Sequence, residues 1–460
     1  MTDLHARLAA IVGAANLLTD PHDLAPAVTD MRGRYTGLPL AMALPASRDE
    51  VTALVTLCAA EGIAIVPQGG NTSTCGAATP DTSGRQLIIG LRRMQRVRHI
   101  DAANLSITVD AGCTLAQVQQ AAASVGRLFP LSLASEGSCQ IGGNLSTNAG
   151  GLAVLRYGTM RELTLGLEVV LPDGTLLDAL SALRKDTTGL DVKQLFIGAE
   201  GQLGLITGAT LKLFALPTAY STALLAVDSA EAAIAALNAL QARFGDRLTT
   251  FEMISEPCQR ISERHKPGCM PFFAPWALLV ELSDGGEPAA LQASFEQWLG
   301  GQDFHDGVLA QSETERASLW QLREDISDMQ KREGPSIKHD IGVPSSAIPA
   351  FLASCGAALD AAFPGVRIVA FGHAGDGNLH YNISYTRPGN AELFTDEDAV
   401  NAIVYEHVYR YRGTLAAEHG IGQLKAHWLS QYKDPVALAI MRGIKQQLDP
   451  HSIMNPGRWL

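Results

Sequence analysis

The chain has 460 residues, 47 acidic against 35 basic, for a net charge of -12. That length holds two or three domains, each able to bury its own core, and the acidic balance argues against a nucleic-acid backbone or an anionic membrane surface as partner. Seven scattered cysteines without a CxxC pair fit buried thiols of a reduced, cytoplasmic protein better than a disulfide framework or a zinc ribbon.

Leu4, Leu8, Ile11 and Leu18 recur at helical spacing behind a start with no basic cluster, so the N-terminus reads as an amphipathic helix and not a signal peptide. Ser47-Arg48-Asp49-Glu50 is a capping box opening a helix over 51–60, and 63–66 follows as a buried strand. Strands are expected at 87–91, 97–100 and 106–110, then a second capping box, Thr114-Leu115-Ala116-Gln117, starts a helix ending near Gly126. Residues 137–151 (GSCQIGGNLSTNAGG) are too rich in glycine, serine and asparagine for a core element and read as a functional loop system. Strands resume at 165–171 and 176–177, with a strand pair over 203–214. From about Ala219 a second α+β region begins, with helices at 229–244 and 288–299 and a strand at 276–282; a last helix spans 435–448. The whole is α+β with short strands. The longest uncharged runs, such as 341–359, are broken by proline, glycine and serine, so none reads as a membrane span.

Pro67-Gln68-Gly69-Gly70-Asn71-Thr72-Ser73 directly follows a strand, and its two glycines let backbone N–H groups turn toward one anion, a diphosphate for instance. Taken alone it is equally an ordinary strand-to-loop turn. No GK[ST] triplet and no G-x-G-x-x-G after a strand is present, so neither a P-loop nor a Rossmann site is supported.

Residues 366–371 and 380–385 are β-branched and aromatic runs separated by the hairpin signal Asp376-Gly377. His373 then leaves one strand where His380 enters the next, so both imidazoles can meet one ion, and alternation puts Asn382 on the face of His380. Glu418-His419-Gly420-Ile421-Gly422 adds a carboxylate and another imidazole. Two histidines and one carboxylate leave coordination positions open for a substrate, as catalytic zinc does; the plainer reading makes the histidines hairpin hydrogen-bonders. In a straight strand Glu418 and His419 face opposite ways, so both reach one site only if the backbone bends at the following glycines. Arg323 and Ser327 fall one turn apart on a helix over 320–327, and Lys338 lies in an extended stretch. In isolation Arg323, beside Glu324 and Asp325, reads as a solvated helix face.

In combination, the loop at Gln68, the 137–151 segment, Ile197-Gly198-Ala199-Glu200-Gly201-Gln202-Leu203-Gly204-Leu205-Ile206-Thr207, the histidine motifs and Asn455-Pro456-Gly457 resemble the FAD-linked oxidases of the vanillyl-alcohol oxidase type. Within them the resemblance is to the D-2-hydroxyacid dehydrogenase branch, and it runs from about Pro45 to Gly457. It implies an α+β fold in which a split FAD-binding domain, 1–218 with a returning segment 413–460, flanks an inserted α+β cap over 219–412 that holds substrate over the flavin.

By the same resemblance Pro67, Gln68, Gly69, Gly70, Asn71 and Thr72 line the diphosphate. Gly137, Ser138, Gly142, Gly143, Asn144 and Thr147 run along the isoalloxazine and ribityl chain. Glu200, Gly204 and Ile206 lie near the adenine end, and Asn455 closes the pocket. Ser73 and Ala77 depart from the pattern, standing where such loops often carry glycine, which would tighten or shift the diphosphate loop. His373, His380 and Glu418 are the implied metal ligands, His419 the general base, and Arg323, Ser327 and Lys338 the clamp on a substrate carboxylate, with Asn382 beside them. The implied activity is oxidation of a D-2-hydroxy acid, D-2-hydroxyglutarate first and D-lactate or D-malate next. It uses non-covalent FAD and one divalent metal, zinc first. Expected partners are the small anionic 2-hydroxy acid, an electron acceptor (an electron-transfer flavoprotein or a quinone) and a second copy of the chain in a homodimer. Two readings from other classes are a non-catalytic flavin-binding subunit of an oxidase complex and a metal hydrolase. The joint presence of His373, His380, Glu418 and His419 argues against the first, and a visible spectrum with flavin bands would dismiss the second.

Overall fold

The computed structural model describes residues 2–385 and 394–460. Ser47 Oγ accepts from the Glu50 backbone N–H at 3.2 Å, and Glu50 reaches back to the Ala46 N–H at 2.8 Å, one residue earlier than the usual box. The helix so opened, Arg48–Glu61, buries Val51, Leu54, Val55 and Cys58 and ends at Gly62 in the left-handed region. At Thr114 both bonds of the box form as expected and start the helix Leu115–Ala123.

The chain divides into two units. The first gathers 1–151, 158–216 and 418–460; the second gathers 152–157 and 217–417.

In the first unit β1 (Leu17–Leu18), β2 (Ala41–Ala43), β3 (Ala64–Gln68) and β4 (Gln86–Gly90) form a sheet of order β1-β2-β4-β3, with β2, β4 and β3 parallel. Both faces of such strands are covered, hence the apolar runs: Ile65, Val66, Leu87, Ile88 and Ile89 are fully buried. A five-stranded antiparallel sheet follows, built from β5 (Val97–Asp101), β6 (Ser106–Asp110), β8 (Thr164–Val170), β9 (Leu176–Ala179) and β10 (Leu205–Lys212) in the order β5-β6-β10-β8-β9. The short β7 (Arg127–Leu128) pairs with β11 (Phe214–Ala215). Arg98 joins the buried Asp110 and Glu168 carboxylates at 2.6 and 2.8 Å, so the charges inside this sheet are paired. The end of the chain returns here: Met454 bridges Ile65, and the buried Lys445 ammonium donates to Gln202 O, Asp449 Oδ2 and Met454 O.

The second unit is built on one antiparallel seven-stranded sheet of order β15-β12-β14-β13-β17-β18-β16. Its strands are β12 (Ala219–Val227), β13 (Leu248–Ser255), β14 (Trp276–Asp284), β15 (Gly307–Leu309), β16 (Ile337–Gly342), β17 (Val366–Gly372) and β18 (Asn378–Tyr385). Helices Glu256–His265 and Glu313–Arg332 cover one face, where Ile254, Cys258, Ile261, Leu322, Ile326, Met329 and Phe371 share a core cluster. Tyr381 and His339 point to the opposite face, against Phe351 and Tyr405.

Three expectations need correction. The first helix is Thr2–Val12, and Leu18 lies beyond it on β1. The 137–151 segment is not all loop: Ile141–Ser146 is a helix, because Ile141 and Leu145, one turn apart, are both fully buried. Residues 203–214 hold one long strand, β10, and not a pair, since Phe214–Ala215 turns away to β7. Ser345–Ala362 is a helical stretch long and apolar enough to cross a membrane by length and composition; in the second unit it buries Ile348, Phe351, Cys355 and Leu359 at helical spacing.

Candidate active site

In the first unit β3 delivers Gln68 into the glycine loop. The Gln68 amide donates to Ala27 O and Ala78 O at 2.8 and 2.9 Å, tying the two flanks of the loop together. Gly70 lies so close to the 137–140 segment that a Cβ there would meet Ser138 O at 1.8 Å, which explains glycine at that point. Asn71, at φ 53, donates to Pro26 O and Thr29 O. Thr72 continues the loop. Ser73, where glycine was the family habit, earns its place with its hydroxyl, which accepts from the Cys75 and Ala77 N–H groups at 3.4 and 3.2 Å.

Gly137, Ser138, Gly142, Gly143, Asn144 and Thr147 sit in and around the short helix Ile141–Ser146. A Cβ at Gly142 would press on Ala111 at 3.1 Å, whereas one at Gly137 or Gly143 would meet nothing within 4 Å. Gly204 is held by Val169, 2.8 Å from a Cβ placed there, and Ile206 is buried on β10 at a register shift.

Glu200 takes a role that the sequence did not suggest. Its carboxylate accepts the backbone N–H groups of Ile421 and Gly422 at 2.6 and 2.9 Å and the Trp459 indole N–H at 3.1 Å. Burial raises its pKa, and those N–H donors only partly counter the shift. Asn455, at φ 44, donates to Ala77 O at 3.0 Å and to Glu200 O at 2.7 Å.

An FAD cofactor fits these residues by one chemical test. Asn71 Oδ1, Gln140 Oε1 and Asn455 Oδ1 are buried side-chain oxygens with no protein partner. The two asparagine amides cannot be flipped to remove the problem, because each N–H₂ already donates to two carbonyls. Buried acceptors left unmatched cost about 1–3 kcal/mol each. The hydroxyl-rich ribityl and ribose parts of FAD carry the donors they lack, and the space over Gly137 and Gly143 is open to it.

In the second unit the register of β16, β18 and β17 decides which side chains share a face. Lys338 pairs with Asn382, Asp340 with His380, and His380 with Phe371. Directly paired residues point the same way, so Lys338, Asp340, Phe371, His380 and Asn382 line one face. Asp340 and His380 offer ligand atoms within 4.8 Å of each other. Asn378 donates to Asp340 Oδ1 at 2.9 Å and orients it. His373 stands just past the end of β17, its ring centroid 5.7 Å from that of His380. The Asp376-Gly377 hairpin forms as expected, with the Gly377 N–H bonded back to His373 O. Asn382 Nδ2 is committed to Gln330 Oε1 at 2.8 Å.

Arg323 and Ser327 share the helix Glu313–Arg332, but Arg323 is buried and Ser327 exposed. The Arg323 guanidinium lies over the Phe371 ring, 4.9 Å from its centroid, and Nε donates to Glu252 Oε2 at 2.5 Å. The other oxygen of Glu252 bonds His373 Nδ1. Burial alone pushes the Glu252 carboxyl up, but Arg323 and His373 more than offset it and hold the group at about 2. Glu252 and Asp340 are the residues here that sequence reading missed. Glu252 lies on β13, whose every residue is buried, and nothing in the sequence named its partners.

In the first unit, the 418–422 segment bends with Gly420 at φ 78 and Gly422 at φ 54. The bend removes the difficulty of neighbours facing opposite ways: His419 Nε2 and Glu418 Oε1 lie 3.5 Å apart. Glu418 Oε2 also accepts the Gly151 N–H at 3.3 Å. Seven free cysteines, six of them buried, fit the expectation of small core thiols.

The sequence matches the family model described as FAD linked oxidases, C-terminal domain, over residues 216–459 and that of the FAD binding domain over 39–180. The chain belongs to the FAD-linked oxidases and is an FAD-dependent oxidoreductase. It is 39% identical to the D-2-hydroxyglutarate dehydrogenase of Xanthomonas citri pv. viticola, over 97% of this chain and 94% of that one. It is 35% identical to the mitochondrial D-2-hydroxyglutarate dehydrogenase of Bos taurus, over 96% of this chain and 81% of the relative. A putative mitochondrial D-lactate dehydrogenase of Schizosaccharomyces pombe is 34% identical over 96% and 86%. Among solved structures, p-cresol methylhydroxylase with substrate bound superposes with a TM-score of 0.79 at 16% identity, covering 100% of this chain and 96% of that one. The fold is that of the vanillyl-alcohol oxidase type.

Proposed function

We propose that this protein oxidises D-2-hydroxyglutarate to the 2-oxo acid. The observation that carries the reading is the shared sheet face of Lys338, Asp340, His380 and Asn382, with Arg323 and His373 beside it. It is supported by relatives over almost the whole chain that are named for that reaction. His373, His380 and Glu418 are the proposed ligands of a divalent metal, zinc first, with Asp340 as a further oxygen donor. Imidazoles and carboxylates are a donor set that zinc and manganese accept.

Such an ion supplies a positive charge that lowers the pKa of a bound hydroxyl. FAD, held by the glycine loops of the first unit, would supply the hydride acceptor. Arg323 and Lys338 hold the substrate carboxylate, and each charged hydrogen bond contributes about 1.5–3 kcal/mol; Ser327, exposed on its helix, takes no part. His419 takes the hydroxyl proton. As it does, the hydrogen on C2 would leave with both bonding electrons to the acceptor that a bound FAD would supply, and the carbonyl forms. The two electrons then pass to an electron-transfer flavoprotein or a quinone.

D-lactate is the second substrate reading, favoured by the fission-yeast relative. Turnover of D- and L-2-hydroxyglutarate, D-lactate and D-malate by the purified single chain, with an artificial dye acceptor and the metal measured in the same sample, tests the proposal. Selective, chelator-sensitive oxidation of D-2-hydroxyglutarate is expected. Faster D-lactate turnover moves the substrate to the shorter acid, and no turnover of any D-hydroxy acid ends the reading.

A further inference from the structure

Glu252 is fully buried in the middle of β13, a strand whose every residue is buried. A carboxylate there is costly unless both oxygens are matched. Both are, by residues from separate elements: Nε of Arg323, from the helix Glu313–Arg332, on Oε2, and Nδ1 of His373, from the turn after β17, on Oε1. Among the described residues this is the one hydrogen bond the Arg323 side chain makes, so its two terminal nitrogens stay available to a ligand. The bond at Nδ1 likewise fixes the His373 tautomer, with the proton on Nδ1 and the lone pair on Nε2.

We infer that Glu252 is a positioning residue that aims His373 Nε2 at the metal and the Arg323 fork at the substrate carboxylate, coupling metal and substrate binding through one buried side chain. This rests on the function proposed above. The carboxylate touches neither metal nor substrate; it acts through the two residues that do. Fixing a histidine by an outer carboxylate typically changes metal affinity by about 10–100-fold.

The test is zinc affinity of the flavin-loaded protein, read by competition with a chromophoric chelator, together with KM and kcat for D-2-hydroxyglutarate. Glu252→Gln keeps the shape but gives one partner a donor where it had an acceptor, so it should bind zinc about 10–100-fold more weakly and raise KM. Should that variant fail to fold, the double variant Glu252→Met with Arg323→Met removes both charges and leaves none buried alone. It too should hold FAD and lose zinc affinity. A purely structural role would lower the melting temperature and leave zinc affinity of the folded protein unchanged, and that result overturns the inference. Wild-type protein that takes up no zinc overturns the metal reading itself, a separate outcome.

Discussion

The Glu200 carboxylate meets the Ile421 backbone N–H at 2.6 Å, and with Gly422 beside it this contact fastens the bend that follows Glu418 and His419. A Cβ at Gly420 would strike Glu200 Oε1 at 2.3 Å, so the bend and the carboxylate leave no room for a side chain. Glu200→Ala leaves the Ile421, Gly422 and Trp459 N–H groups without their acceptor and should cost about 3 kcal/mol or more in denaturant unfolding. It should also lower kcat, because His419 loses its support. Unchanged kcat would show that the bend holds without Glu200.

Two alanine substitutions separate fold from cofactor. Gly70→Ala puts a methyl 1.8 Å from Ser138 O and should yield insoluble or colourless protein. Gly143→Ala meets no protein atom within 4 Å and lies in a helix, so the apoprotein should be as stable as wild type or gain about 1 kcal/mol. If the flavin runs over Gly143, that same variant loses FAD affinity. FAD titration of the two apoproteins would expose the error if Gly143→Ala binds normally.

His419→Ala should keep the flavin spectrum and the metal while kcat falls about 10²–10⁴-fold. Stopped-flow reduction of the flavin by substrate is the measurement; a rate near wild type removes His419 as the base.

Lys338→Met should raise KM for the hydroxy acid by about 10-fold or more, the value of one charged hydrogen bond, with the flavin spectrum unchanged. Lys338 is a cleaner test of the clamp than Arg323, whose removal leaves Glu252 without its cation. A flat KM would take Lys338 out of the clamp.

Acid sensitivity in the second unit follows from Glu333. Partial burial pushes its carboxyl up, but hydrogen bonds from Arg367, His265 and Arg264 outweigh this and hold it at about 2. Because the folded value lies below the ordinary 4.3 or so of a free glutamate, the contribution is complete above about pH 4.5 and is lost as pH falls toward 2. Its size is on the order of 2 kcal/mol once solvent around Arg264 is allowed for. Glu333→Gln should lower stability at pH 7 and flatten its decline between pH 5 and 2.5, as read from urea midpoints. A curve parallel to wild type would contradict this.

The glycine loops and the paired histidine motifs were legible because each carries its own chemistry in consecutive residues. The hairpin at Asp376-Gly377 and the capping box at Thr114 were readable for the same reason, being local. Glu252 was not, since a lone glutamate in Thr-Thr-Phe-Glu-Met-Ile-Ser gains its meaning from Arg323, 71 positions away, and His373, 121 away. Asp340 escaped for a similar reason, as only strand register sets it beside His380. The helix Ile141–Ser146 was hidden by glycines, whose composition suggests a loop although burial of Ile141 and Leu145 winds the backbone. Ser327, one turn from Arg323, shows the converse: spacing placed it on the right helix but could not say that it would face water.

Met454 adds a strand rung to Ile65, while Asn455 and Arg458 hold the carbonyl of Ala77, so residues far apart in the polypeptide brace the segments that flank the glycine loop. On the ribosome, the amino-terminal half therefore emerges hundreds of residues ahead of the pieces that complete it. A nascent chain stalled before Met454 lacks the residues that fasten Ile65 and Ala77, and should take up FAD more weakly than the full chain.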